Sequence, residues 1–145
     1  MVDGYCTAAY VAARNNNGAG LRFLVVACGV DPNLALGYTS NGSTPIHIAC
    51  IEGHPDAVTV LLALGADPTL ADDYGFTPCM RAAFVSGSVP CLRALAAGGP
   101  GGALVGDAVN AVSNETALDW ALDRNHAEFA AVLRDELGGK RAADL

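Results

Sequence analysis

The chain has 145 residues, a formal net charge of −7 and an isoelectric point near 4.6. This acidic balance argues against nucleic acid and anionic membranes as partners, because binding to either needs clustered Lys and Arg. Only 16% of the residues are charged while 52% are hydrophobic, so we expect part of the surface to be covered by a partner.

The sequence also indicates a cellular compartment. No apolar run approaches the roughly 20 residues of a transmembrane helix, and no basic segment precedes an apolar one at the start, as in a secretion signal. The five cysteines are odd in number and show no C-x-x-C spacing, which favours reduced thiols. We therefore predict an intracellular protein, in the cytoplasm or alternatively the nucleus, without direct membrane insertion.

The first helix signals lie between Thr7 and Cys28. An Ala-rich segment runs from Thr7 to Ala13, a turn cluster follows at residues 15–18, and an apolar run extends from Leu21 to Cys28. Gly29 follows as a helix stop. This order predicts two helices joined by a tight turn.

The second set of signals, from Asn41 to Pro68, is more complete. Thr44 and Pro45 predict a helix start, since a Thr hydroxyl accepts from a first-turn amide and Pro suits the first helical position. Gly53 and Pro55 break this helix, and Gly65 ends a second one. The apolar stripes expected to face inward are Ile46, Ala49 and Cys50 on the first helix and Val58, Leu61 and Leu62 on the second.

These landmarks recur along the chain. Pairs separated by 33 residues are Gly42 and Gly75, Thr44 and Thr77, and Gly65 and Gly98. Two short amphipathic helices cannot bury their apolar faces alone, so the unit must stack on copies of itself.

The third and fourth copies depart from the pattern. The third has Cys79 and Met80 after its Thr-Pro, and its stripe is carried by Cys91 and Leu95. Glycines at 98–102 then predict an enlarged loop. The fourth copy starts at Thr116, its second helix spans about 127–137 with Phe129, Val132 and Leu133 inward, and residues 140–145 are expected to fray.

Residues 42–67 read Gly-x-Thr-Pro-Ile-His-x-Ala, then Gly-His, Val-x-x-Leu-Leu and Gly-Ala-Asp. This pattern and its period resemble the ankyrin repeat, from about Thr7 to Leu137 and most closely over 39–98. The resemblance implies an all-α solenoid of stacked antiparallel helix pairs with projecting β-hairpin or turn loops. It also implies one domain, 1–139, with repeats at about 3–38, 39–71, 72–104 and 105–137, and a tail at 140–145.

Candidate chemistry is sparse. His47, Cys50, His54 and Cys79 raise the possibility of zinc, but their spacing fits no paired ligand set, and the resemblance gives both histidines structural hydrogen bonds. The glycine run lacks the Lys-Ser/Thr of a phosphate loop. We predict no metal, no cofactor, no catalytic residues and no enzymatic activity.

The resemblance implies a protein-interaction module or adaptor that binds protein partners through its concave face. The residues that map to this face are Ser40, Asn41, Ser43, Ile51, Glu52, Asp73, Tyr74, Phe76, Phe84, Val85, Asn114, Glu115, Asp123 and Arg124. Tyr74, Phe76, Phe84 and Val85 have the composition of an interface core. Alternatively, Phe84 and Val85 pack under the neighbouring finger, and Trp120 lies between the last two helix pairs or anchors a partner.

Two other function classes stay open. The chain is similar in size to the small ankyrin inhibitors of cyclin-dependent kinases, which suggests an enzyme regulator. The low charge suggests a structural subunit of a larger assembly. The chain would accordingly be a monomer or part of a hetero-complex.

Overall fold

The computed structural model describes the backbone of residues 3–35, 41–98 and 108–145, and side chains from residue 8 onward. Within these ranges the chain consists of helices and turns, with an isolated antiparallel bridge between Val109 and Thr116. The helices are α1 (Asp3–Arg14), α2 (Gly18–Arg22) with a π-helical continuation (Phe23–Ala27), α3 (Pro45–Ile51), α4 (Pro55–Ala63), α5 (Pro78–Arg81) with a π-helical continuation (Ala82–Ser86), α6 (Val89–Gly98), α7 (Ala117–Asp123), α8 (Ala127–Asp135) and a C-terminal 3₁₀ turn (Ala142–Asp144).

The helices form two layers. The first helices of the four pairs, α1, α3, α5 and α7, pack side by side, and the second helices, α2, α4, α6 and α8, form the other layer. Short turns join the two helices of a pair, so the partners run antiparallel. The stack predicted from the sequence is therefore confirmed.

The threonines at the helix starts act as caps. Thr77 Oγ1 accepts from the backbone N–H of Met80 at 3.3 Å, and Thr116 Oγ1 accepts from that of Asp119 at 3.3 Å. In contrast, α1 already begins at Asp3, four residues before Thr7. The difference follows from Ala8, because a proline at that position would clash with the preceding turn of a continued helix.

The core lies between the two layers. The predicted inward residues are buried, with the exception of Leu62, which is half-buried and borders a groove between α4 and α6. The largest side chains without appreciable exposure include Leu21, Ile46, Val58, Leu61, Met80, Leu92, Leu95, Phe129 and Leu133.

Each turn between paired helices is hydrogen-bonded to the preceding repeat. His54 Nε2 donates to the carbonyl of Arg14 at 3.0 Å, and His126 Nδ1 donates to that of Ala83 at 2.8 Å. The third repeat lacks this histidine, and Ser86 Oγ donates to the Cys50 carbonyl at 2.8 Å instead. These donors satisfy carbonyls near the ends of first helices, which have no partner within their own helix.

The π-helical segments mark one-residue insertions. Thr44 and Thr77 are 33 residues apart, but the turn glycines Gly53 and Gly87 are 34 apart. A π-helical turn accommodates an extra residue in this way. The core positions after the turn are displaced equally, since Val58 and Leu61 correspond to Leu92 and Leu95.

This insertion corrects one landmark of the repeat. Gly98 was paired with Gly65 as a helix stop, but Gly98 is the last residue of α6, while Gly65 lies beyond α4 at φ 92°. The lengthened finger predicted around Leu36–Tyr38 and the enlarged loop predicted at 99–102 lie outside the described residues.

The C-terminal tail is docked, contrary to the expectation that it frays. Arg141 Nε donates to Asp119 Oδ1 at 2.8 Å, and the backbone N–H of Ala142 donates to Asp119 Oδ2 at 2.8 Å. Asp119 occupies the helix position that His47 holds in the second repeat, where the ring bonds to the next repeat at Phe76. The tail takes the place of a next repeat and closes the stack.

We expect this tail contact to be sensitive to acid. Burial alone would raise the pKa of Asp119, but hydrogen bonds from Arg141, Ala142 and Thr116 outweigh it and lower the pKa to about 2. Because the folded-state pKa lies below the usual 3.8, the ionised carboxylate stabilises the fold above pH 4, and this contribution disappears as the pH falls from about 4 to about 2. Urea unfolding of wild type and Asp119→Asn across pH 2–7 measures it.

The expected signature is a constant stability difference between the two proteins from pH 7 to about 5, which narrows on further acidification. Arg141→Ala should weaken the same acid dependence. A difference that is independent of pH would show that the carboxylate charge does not hold the tail.

Candidate protein-interaction surface

The third finger, residues 72–76, is held from inside by Asp72. Its Oδ1 accepts from the backbone N–H groups of Tyr74 and Phe76, each at 3.0 Å. The backbone N–H of Asp72 donates to the Phe76 carbonyl at 2.9 Å, and Gly75 takes a φ of 79° at the turn. The finger is thus a closed loop whose conformation is fixed before any partner binds.

Arg81 ties this finger to helix α5. Its Nε donates to Asp72 Oδ2 at 2.7 Å, and its Nη2 lies 2.5 Å from the same oxygen. The Asp72 side chain has no exposed surface, and that of Arg81 is 15% exposed. The guanidinium also lies over the ring of Phe76, 4.3 Å from its centroid, so charge pairing and ring contact act together.

Three aromatic rings pack beside the finger. The centroids of Phe76 and Phe84 are 5.5 Å apart, and the Trp120 ring lies 5.2 Å from Phe76 and 5.1 Å from Phe84. All three side chains are half-buried. Among the buried side-chain polar atoms of the described residues, Trp120 Nε1 lacks a hydrogen-bond partner, which leaves a desolvated donor within the ring cluster.

Exposed side chains surround these rings. Tyr74 is 52% exposed and Val85 46% exposed. The Arg124 guanidinium lies over Phe84, 3.7 Å from the ring centroid. We call these six residues, Tyr74, Phe76, Phe84, Val85, Trp120 and Arg124, the finger-3 surface.

The histidine and thiol chemistry is structural. Thr44 donates to His47 Nδ1, and His47 Nε2 donates to the Phe76 carbonyl at 2.9 Å, so both ring nitrogens are occupied. Burial lowers the pKa of His47. Burial also raises the pKa of the Cys50 thiol well above its usual range and that of Cys79 to about 12, which opposes a thiolate role. Across 3–35, 41–98 and 108–145, no cluster of three or more His, Cys, Asp or Glu residues has metal-binding geometry.

A family model of ankyrin repeats in three copies matches residues 9–105, more than half of the chain. This chain belongs to the ankyrin-repeat family. Such repeats are protein-interaction modules, so the chain is one that binds protein partners. The described residues contain no helix long and apolar enough to cross a membrane.

Individual relatives match only parts of themselves. The protein phosphatase 1 regulatory subunit 27 of Mus musculus is 51% identical over 37 residues, which is 26% of this chain and 24% of that protein. The human transient receptor potential cation channel subfamily A member 1 is 32% identical over 58% of this chain and 7% of its own length. The target of rapamycin complex 2 subunit AVO2 of Saccharomyces cerevisiae is 36% identical over 38% of this chain and 13% of its own length. The chain therefore spans at most about a quarter of these three relatives.

The other partner-binding residues predicted from the ankyrin resemblance are dispersed. Ser43 is buried, Ile51 and Glu115 are half-buried, and Ser40 lies outside the described residues. Exposed positions are Asn41, Glu52, Asp73, Asn114, Asp123 and Arg124. Of these, Glu52 lies 3.7 Å from Arg14, which partly compensates its charge.

Phe76 does not project from the ankyrin finger as the sequence suggests. Because the hydrogen bonds from Asp72 close the loop onto residue 76, its ring lies at the base of the finger against Phe84 and Trp120. Tyr74 is the exposed member of the pair. The alternative that Phe84 packs under its neighbours describes the part of that ring that is covered.

Two residues of the finger-3 region were not placed there by the sequence. Arg81 carried no assignment, and Trp120 was expected between the last two helix pairs or on a partner. Both lie four residues after a capping threonine, Thr77 and Thr116. That shared register was the available signal, because equivalent positions on stacked ankyrin helices face the same direction.

Proposed function

We propose that the finger-3 surface is the centre of a concave protein-binding site. The observation that carries the proposal is the exposure of Tyr74 and Val85 beside a ring cluster that holds them in place. An exposed aromatic side chain next to half-buried rings offers contact area at a small entropy loss, as in interface hot spots. We infer recognition of a partner rather than catalysis.

The surrounding charges favour a particular kind of partner. Asp73 and Asp123 are exposed, while Arg124 is occupied over Phe84. An apolar centre with flanking carboxylates fits a segment with an apolar anchor next to Lys or Arg. The proposed partner therefore presents a basic or mixed-charge segment.

Tyr74→Ala should weaken binding of such a partner by about 2 kcal/mol or more, if the ring is a hot spot. The thermal midpoint should change little, because half of this side chain is already exposed to solvent. The test is affinity capture by wild type and variant with mass-spectrometric readout, followed by calorimetric titration of the captured protein.

Val112→Ala is the matched control, since Val112 is 77% exposed in the turn of the next finger. A protein retained by wild type and by Val112→Ala, but lost with Tyr74→Ala, identifies the partner of this surface. Equal retention by all three proteins would place the binding site elsewhere on the molecule.

A finer proposal is that the partner is an enzyme and that this chain regulates it. Two relatives are named as a phosphatase regulatory subunit and as a subunit of a target of rapamycin complex. The activity of the captured enzyme should then change when the wild-type chain is titrated in, and less with Tyr74→Ala. Binding without any change in activity would favour the alternative of an adaptor or a structural subunit.

A further inference from the structure

The two ends of the stack differ in character. At the C-terminal end, the tail covers Asp119 and the exposed side chains of α8 are Glu128, Arg134 and Asp135. At the N-terminal end, the first repeat exposes Val11 by 45%, Phe23 by 63% and Val26 by 76%. A terminal repeat needs a polar outer side to be soluble as a cap, and only the C-terminal end of the described stack meets this need.

Second-helix positions that face the preceding repeat are apolar, and one of them is Phe23. Val60 of α4 points at the preceding repeat, since a Cβ on Gly18 would lie 3.2 Å from Val60 Cγ2. Aligning the buried residues Leu21 and Val58 places Phe23 at the position of Val60. Phe23 therefore lies where a second helix contacts its predecessor.

The first-helix layer gives the same result independently. Trp120 lies four residues after its capping threonine and contacts rings of the preceding repeat, Phe76 and Phe84. The corresponding residue of the second repeat, Ile48, is 5% exposed. Val11 lies four residues after Thr7, in the same register, and is half-exposed. Both helices of the first repeat thus present stacking side chains on one side.

The C-terminal end of another copy does not complement this side. Leu62 faces the following repeat, because a Cβ on Gly98 would lie 2.6 Å from Leu62 Cδ1. The equivalent of Leu62 in α8 is Arg134, whose Nε donates to Asp135 Oδ1 at 2.7 Å. A head-to-tail contact would bury this ion pair against apolar side chains, which is unfavourable.

An apolar surface is complementary to itself. We propose that the face formed by Val11, Phe23 and Val26 is a self-association site, at which two copies of this chain pack N-terminal repeat against N-terminal repeat around a twofold axis. In such an isologous contact the same patch serves both copies and closes at the dimer. The pairing continues, between two chains, the stacking that joins the repeats within one chain, and it leaves the finger-3 surface of each copy free.

The test is the mass in solution of the 145-residue chain, by sedimentation equilibrium from about 1 µM to about 200 µM. A reducing agent is present throughout, because the exposed Cys28 follows Val26 closely and must not form an intermolecular disulfide. Wild type should shift with concentration from 14.7 kDa to twice this mass.

Phe23→Glu should raise the dimer dissociation constant by at least about 100-fold, since each copy would place a charge at the centre of the contact. Val112→Glu, on an equally accessible valine at the other end, should dimerise like wild type. Thermal unfolding of both variants checks that the fold is intact. A wild-type chain that stays monomeric to the highest concentration, or a dimer unaffected by Phe23→Glu, overturns the proposal.

Discussion

Replacing Asp72 with Ala should lower the free energy of unfolding by about 3 kcal/mol, because one buried carboxylate holds three groups at once. The change leaves the amide groups of Tyr74 and Phe76 without an acceptor and leaves the mostly buried Arg81 without its counter-ion. Unpaired buried charges and donors are among the few features that make single substitutions strongly destabilising. Urea denaturation at pH 7 measures the loss.

Asp73→Ala is the control for this substitution. Asp73 is the adjacent residue with the same side chain, but it is exposed, and its backbone N–H makes the bond to the Asn41 carbonyl. We expect a change within about 0.5 kcal/mol. Asp72→Asn should fall between the two, because the amide oxygen still accepts while the charge is lost. Equal effects of Asp72→Ala and Asp73→Ala would mean that the buried ion pair does not stabilise the finger.

Leu61→Ala should destabilise the fold by roughly 2–5 kcal/mol, the usual loss when a buried leucine site is emptied. Leu61 has no exposed surface and lies in the middle of the core between the two helix layers. Since the stack gains its stability from contacts between neighbouring repeats, a cavity in the second repeat weakens both of its interfaces. Chemical denaturation with an unchanged slope would attribute the loss to the native state.

Leu62→Ala makes the matching comparison, since it removes the same atoms one residue further along α4. The sequence predicts equal effects for the two leucines, whereas the structure places Leu62 on the border of a groove, half-buried. We therefore expect roughly 1–2 kcal/mol for Leu62→Ala, because less apolar surface is returned to water. A larger loss for Leu62→Ala than for Leu61→Ala would reverse this assignment of the core.

The candidate site was predictable in part. The capping threonines, the turn glycine Gly75 and the two exposed side chains Tyr74 and Val85 follow from repeat register, because each depends on a few neighbouring residues. Their arrangement with Phe76 and Trp120 did not follow, since these rings are 44 residues apart in the chain. Sequence reasoning assigned Phe76 to the tip of the finger, where only the closure of the loop by Asp72 decides the direction of its ring.

The sequence by itself determined the helix starts, the helix stops and the 33-residue stack, because caps, turns and apolar stripes act over short distances. Only the tertiary structure decided which side chains from separate repeats meet. The π-helical insertion moved the end of α6 past Gly98, the ion pair of Arg81 fixed the third finger, and Asp119 captured the tail through Arg141. Each of these depends on burial and on partners distant in the chain, since a polar group removed from water must find its bond wherever the fold provides one.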